Sequence, residues 1–261
     1  MAGRLARHER VAAVLAGPLP FSRLLEVERT TSTSDLALER VRAGDGPGLV
    51  VVADRQTAGR GRQGRRWLDG PGPQASLLLT AVAATPPVHP TLVPLAAGLA
   101  SVDAVRSAGA DPALKWPNDV LLGGRKAAGI LVEQHRVEGR GMVLVGIGID
   151  VDWRGVARDD ERAGWTSVAE ATGAPVDRGG VLADVLRGLA AWLHAVAADP
   201  LRLLVAYREV CATIGAEVTV DLPDGSRLSG RAVDLDPDGR LVVDTGARQL
   251  AVGAGDVHHV R

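Results

Sequence analysis

The stretch KWPNDVLLGGRKAAGILVE, residues 115–133, decides how the rest of the chain is read. Two apolar runs, Val120-Leu121-Leu122 and Gly129 to Val132, flank Gly123-Gly124. That dipeptide turns a hairpin because glycine enters positive φ without steric cost. Pro117 lacks an N–H and breaks the ladder, so Leu114-Lys115-Trp116 is expected as a separate short strand before it. Lys126 to Arg136 is the returning strand. The hairpin then sets Asp119 near Lys126, and Ala127, Ala128 and Gly129 leave space for a planar ligand against the backbone. The chain has 30 basic residues, yet its two lysines, Lys115 and Lys126, and its single asparagine, Asn118, all fall here. Arginine replaces lysine readily on a solvated surface, but not where a compact, pKa-shiftable cation is needed. A Lys–Asp pair on a hairpin is commonly a structural ion pair, and the residues alone favour that reading over a ligand site.

Upstream lies GRGRQGRRW, residues 59–67. Its glycines let the backbone approach an anion, its arginines offer forked donors matching phosphate or carboxylate, and Trp67 offers a hydrophobic floor. Residues 55–75 form a long loop without periodicity. An RNA-binding arginine–glycine segment is the alternative, but a net charge of -1 supplies no basic surface around it. Residues 48–54 and 75–83 read as buried strands, and residues 4–16 as a helix ended by Gly17-Pro18. Thr31 to Asp35 caps a helix running to about Ala43, and Thr91 to Ala108 reads as a buried helix.

Downstream, residues 142–152 read MVLVGIGIDVD, a strand whose glycines mark a close approach by ligand or backbone. A polar loop follows over 154–164, then a short helix over 166–171 and longer ones over 178–198 and 200–213. From Ile214 the pattern becomes short alternating strands joined by Pro223-Asp224-Gly225 and Pro237-Asp238-Gly239, a small antiparallel barrel. The domains are expected to be 1–213 and 214–261.

Composition narrows the class. A hydrophobic fraction of 46% supports a sizeable core. One cysteine, Cys211, excludes an internal disulfide framework and fits a reducing compartment, so a cytoplasmic protein is expected. No apolar run suggests a membrane span, and no membrane or nucleic-acid partner is expected. His258-His259 lacks companion ligands, so a metal site there is not expected.

Taken in order, Ser32-Thr33-Ser34, Gln56 with GRGRQGRRW, KWPNDVLL, RKAAGILVE and GIGIDV resemble the biotin protein ligases over roughly residues 22–213. The C-terminal barrel resembles that family's small SH3-like domain. The resemblance implies an α+β fold of the class II synthetase and biotin ligase kind: a mixed central sheet backed by helices. It implies that biotin and MgATP form biotinyl-5′-AMP, and that biotin passes to one lysine of a biotin carboxyl carrier domain. Lys126, Arg62, Arg65 and Asp119 are the implied catalytic residues, Lys126 bridging the biotin carboxylate and α-phosphate. Biotin contacts are expected from Ser32, Thr33, Ser34, Gln56, Gly59, Arg60, Gly61, Arg62, Trp116, Lys126 and Gly129. ATP and adenylate contacts are expected from Arg62, Arg65, Trp67, Lys115, Asn118, Lys126, Gly146, Ile149, Asp150, Trp165, Thr166 and Ser167. Asp119 or Asp150 is the expected Mg²⁺ ligand. The family usually carries Asn where this chain has Asp150, and Ser-Thr-Asn where it has Ser32-Thr33-Ser34. Only 31 residues precede Ser32, too few for a winged helix-turn-helix domain, so a monofunctional ligase is expected. A lipoate or octanoyl ligase shares the fold and reaction logic but lacks the GRGRxGRxW loop. The oligomeric state is not legible.

Overall fold

β-Branched and leucine-rich runs make the centre of the main sheet: β2 (Leu49–Gln56), β3 (Ser76–Ala84), β6 (Arg125–Val137) and β7 (Arg140–Asp150). The computed structural model describes residues 4–5, 7–70, 72, 74–86, 88–156 and 163–260. With β1 (Arg23–Thr30), β4 (Pro112–Lys115) and β5 (Asp119–Leu122), these strands form a seven-stranded sheet among the described residues, ordered β1-β2-β3-β7-β6-β5-β4. β1 runs parallel to β2, and the other neighbours are antiparallel, so the sheet is mixed.

Alternation along the strands separates two faces. Val50, Val52, Leu77, Leu79, Val143, Val145 and Ile147 belong to the main core with the helices α3 (Val93–Ser107), α5 (Arg178–Ala198) and α6 (Pro200–Val210). The other face is covered at one end by α2 (Thr33–Arg42), whose Ala37 and Val41 pack with Val51, Val82 and Leu144. Farther along that face the side chains shrink to Gly129, Gly146 and Gly148, and a hollow remains.

Several elements differ from the sequence reading. β1 was not expected, because RLLEVERT is a half-buried edge strand that mixes charge with apolar residues. The first helix, α1 (Glu9–Ala16), starts later than residue 4; part of that reading, at residue 6, lies outside the described residues. So do residues 157–162 of the expected 154–164 loop, and residues 71 and 73 of the 55–75 loop. That long loop is not structureless. Arg60 and Arg66 pair across a tight turn in which Gln63 and Gly64 have positive φ. The peptide between Trp116 and Pro117 is cis. By length and composition α5 could cross a membrane, although Asp184 and Arg187 interrupt its apolar residues. Its Val181, Leu182, Val185, Leu186 and Leu189 lie in the main core, which accounts for the composition.

The C-terminal strands are β8 (Glu217–Asp221), β9 (Arg227–Leu235), β10 (Leu241–Asp244), β11 (Gln249–Val252) and β12 (Asp256–His259). They form an antiparallel sheet, ordered β11-β10-β9-β8-β12, whose inner residues continue the main core. Its Asp-Gly turn docks on the start of α3, where a Cβ on Gly239 would meet Leu92 at 2.9 Å. Trp116 is the pin between the layers. Its Nε1 donates to the Gly239 carbonyl at 3.1 Å, and its backbone N–H donates to Thr213 Oγ1 at 3.0 Å. Thr213 is fully buried. Thr213→Val therefore strands a buried N–H, and stability in a urea titration should fall by about 1–3 kcal/mol.

Candidate active site

The hollow beside α2 is a cavity of about 240 Å³. One part of its wall is neutral. Ser32 caps α2, its Oγ accepting from Ser34 N–H at 3.2 Å, because a hydroxyl there satisfies an orphan helix donor. Gln56 Oε1, at the end of β2, accepts from Thr33 N–H at 2.7 Å and Thr33 Oγ1 at 3.1 Å. Fully buried Thr80 joins the group, donating to Thr33 Oγ1 at 2.9 Å and lying 3.1 Å from Ser34 Oγ. These bonds hold the Gln56 carbonyl in place at the cavity wall.

The rest of the wall is cationic and aromatic. The β5–β6 hairpin brings Lys126 Nζ to 2.7 Å from Asp119 Oδ1. The same ammonium lies 5.5 Å from the Trp67 ring centroid and 5.2 Å from that of Trp165, within cation–π range of both. Trp165 is carried there by backbone pairing: Lys126 N–H donates to Gly164 O, and Thr166 N–H to Lys126 O. Arg62 donates to Asn118 Oδ1 at 3.3 Å. Burial pulls its guanidinium below the ordinary value, against the Asp256 and Asp119 carboxylates that favour the charge. Trp67 Nε1 is buried in the wall without a hydrogen-bond partner among the described residues. An orphan donor of this kind marks a place where a ligand oxygen is expected.

Of the sequence-derived residues, Ser32, Thr33, Ser34, Gln56, Arg60, Gly61, Arg62, Arg65, Trp67, Asn118, Asp119, Lys126, Gly129, Gly146 and Trp165 line this one cavity. The others do not. Gly59 is buried beneath the loop, where a Cβ would meet Gln56 Nε2 and Trp67 O at 2.9 Å. Trp116 is buried against the C-terminal sheet and cannot wall the cavity. It lines a second cavity of about 540 Å³, between the layers, which shares Arg62, Asn118 and Ile130 with the first. Lys115 ends β4 outside the cavity lining. Ile149 and Asp150 are fully buried, and Asp150 accepts from Ser76 Oγ at 2.9 Å. Thr166 and Ser167 are buried too, and Ser167 is spent on capping α4 (Val168–Thr172) in a reciprocal box with Glu170. The space over Gly129 is taken by the Trp67 indole rather than left open, since a Cβ there would fall 2.7 Å from Trp67 Cζ3. Arg65 lines the cavity, but its guanidinium is bound by Asp256 at 2.7 Å. Residues missed from the sequence are Arg66, Leu78, Leu79, Ile130, Leu131, Ile147 and Gly148 on the lining, and Thr80 behind it. All but Arg66 lie in the segments read as strands, 75–83, 126–136 and 142–152, but those readings did not say which face was hollow.

Comparison with known proteins bears on this geometry. The family model described as "Biotin/lipoate A/B protein ligase family" matches residues 26–152. "Biotin protein ligase C terminal domain" matches residues 213–260. The chain is 39% identical to the biotin–[acetyl-CoA-carboxylase] ligase of Mycobacterium tuberculosis, over 90% of this chain and 88% of that protein. It is 32% identical to the bifunctional ligase/repressor BirA of Bacillus subtilis, over 87% of this chain and 71% of that protein. The Aquifex aeolicus biotin protein ligase in complex with biotin and ATP superposes with a TM-score of 0.76, at 26% identity, over 92% of this chain and all (100%) of that one. With the motifs and the cavity, these matches place the chain in the biotin/lipoate A/B protein ligase family, among its biotin protein ligases.

Proposed function

We propose that this protein is a biotin ligase that activates biotin with ATP and transfers it to a protein lysine. Biotin and ATP form biotinyl-5′-AMP and pyrophosphate. The biotinyl group then passes to one lysine of a biotin carboxyl carrier domain, releasing AMP. One observation carries the reading: a neutral hydroxyl and amide cluster and a set of cations share one cavity. A ureido ring needs the first, and a carboxylate attacking a phosphate needs the second.

Lys126 is the compact cation between the two anions of the first step. Arg62, and Arg65 and Arg66 on the same loop, hold phosphate oxygens and the adenylate. Ser32, Thr33, Ser34 and Gln56 bind the ureido group, with Trp67 as apolar wall and its orphan N–H as donor. In the second step Asp119, freed when Lys126 turns to phosphate, accepts the proton of the acceptor ammonium or orients the amine. Mg²⁺ would be held chiefly by phosphate oxygens, supplying charge neutralisation, and the residues present fit that use. Asp119 is a cavity carboxylate, whereas Asp150 lies buried at Ser76. The reducing cytoplasm suits the buried thiol of Cys211.

Incubation with a carrier domain, biotin and MgATP should raise the carrier's intact mass by one biotinyl group. No gain, or a gain with lipoate and none with biotin, would overturn the proposal.

A further inference from the structure

The arginine loop is fastened by carboxylates at two points, and the two differ in origin. Arg60 makes a bidentate pair with Glu133 at 2.8 and 2.6 Å and also reaches Asp35 at 3.0 Å. Glu133 on β6 and Asp35 on α2 belong to the same layer as the cavity. Arg65, five residues on, is held instead by Asp256 at 2.7 Å. Asp256 opens β12, in the C-terminal sheet. It is also the foremost charge favouring the half-buried Arg62 guanidinium. A carboxylate from the second layer thus serves both arginines expected to hold the nucleotide.

A carboxylate and a phosphate present the same pair of oxygens to a guanidinium fork. Arg65 lines the cavity, so its donors are within reach of an anion bound there. The same Nη2 cannot give its full strength to two anions, and two anions on one guanidinium repel each other. The pair is also exposed enough to exchange: the side chains of Arg65 and Asp256 are 56% and 31% accessible. We propose that Asp256 is a placeholder for phosphate, a positioning residue that holds Arg65 over the cavity and must release it when ATP binds. The proposal rests on the ligase reading above. ATP then competes with the C-terminal sheet for one side chain. ATP affinity is set partly by this internal competitor, and pyrophosphate release lets the sheet re-engage the loop.

A purely structural strap makes the opposite prediction. If Asp256 only holds the loop in its binding shape, removing its charge must weaken ATP binding. Biotin-dependent ATP–pyrophosphate exchange on the full chain separates the two. Asp256→Asn should lower KM for ATP about two- to fivefold, the scale of an exposed ion pair. KM for biotin and kcat should stay within about twofold. Asp256→Glu, which keeps the charge, should hold the wild-type KM for ATP. An unchanged or raised KM for ATP in Asp256→Asn overturns the placeholder, as does a fall of equal size in both variants. The double variant Arg65→Asp/Asp256→Arg rebuilds the pair with its polarity reversed. Its KM for ATP should rise above wild type, and a wild-type value there also overturns the proposal. If the unaltered chain supports no biotin-dependent exchange, the ligase reading itself falls, a result distinct from exchange that proceeds with unaltered KM values.

Discussion

Lys126→Ala is expected to abolish measurable biotin-dependent ATP–pyrophosphate exchange, with kcat falling by about 10²–10³ or more. The first step drives a carboxylate onto a phosphate, and the repulsion between them must be offset by a cation aimed at the atoms where charge develops. Five cationic side chains line the cavity: Arg60, Arg62, Arg65, Arg66 and Lys126. Arg60 and Arg65 are bound by carboxylates. Arg62 leans on Asn118 toward the second cavity, and Arg66 is on the exposed limb of the loop. Lys126 alone rises from a rigid strand, between two indoles and beside Asp119. Alanine leaves the fold in place, because the strand is held there by main-chain bonds to Gly164 and Thr166. Lys126→Arg should not restore the rate. The lysine tail already lies 3.3 Å from where a Cβ on Gly129 would sit, and a planar guanidinium needs more width than that slot provides. Exchange at the wild-type rate in a folded Lys126→Ala chain would remove the residue from its role.

What the sequence made legible followed from local rules. The Gly123-Gly124 turn, the short strands about Pro117 and the alternating C-terminal strands depend on residues a few positions apart, and all formed. The grouping of Ser32, Gln56, Arg62, Lys126 and Trp165 was legible only through resemblance to a family, since no periodicity connects them. Long-range pairing stayed hidden. Arg65 and Asp256 are 191 positions apart, and nothing near either names the other. Edge strand β1 stayed hidden because its partner β2 covers only one side of it, and charged residues interrupt its apolar pattern. Thr166 and Ser167 were expected at the nucleotide only through the resemblance; Ser167 caps α4, and Thr166 Oγ1 donates to Glu170 at 3.3 Å. The small residues from Ala127 to Gly129 were expected to leave space for a planar ligand, but Ala127 and Ala128 are buried in the core and Trp67 covers Gly129. That the chain's own Trp67 would lie on it depended on how the arginine loop folds back.

That placement leads to the second large effect. Gly148→Ala should weaken biotin binding by roughly five- to 150-fold, the equivalent of about 1–3 kcal/mol of overpacking. A Cβ on Gly148 would stand 2.5 Å from Trp67 Cζ2 and 2.6 Å from Cε2, well inside van der Waals contact. Gly129 and Gly148 face each other in the β6–β7 register, and the indole lies across both. Trp165 closes one side of the indole, with its centroid 5.2 Å away. Nor can β7 withdraw, because its Val145, Ile147 and Ile149 are packed into the core on the opposite face. Trp67 belongs to a loop fastened mainly by surface ion pairs, so the ring and its loop give way and the cavity loses its wall. Calorimetric titration with biotin measures the loss, and a double-mutant cycle assigns it. In a Trp67→Ala background the obstacle is absent, and Gly148→Ala should then cost almost nothing further. Equal costs in both backgrounds would mean the alanine acts through β7 itself. Gly146→Ala should be milder, because its Cβ meets Leu131 O and Ser34 Oγ at 3.1 Å, and a serine hydroxyl can rotate aside where an indole cannot.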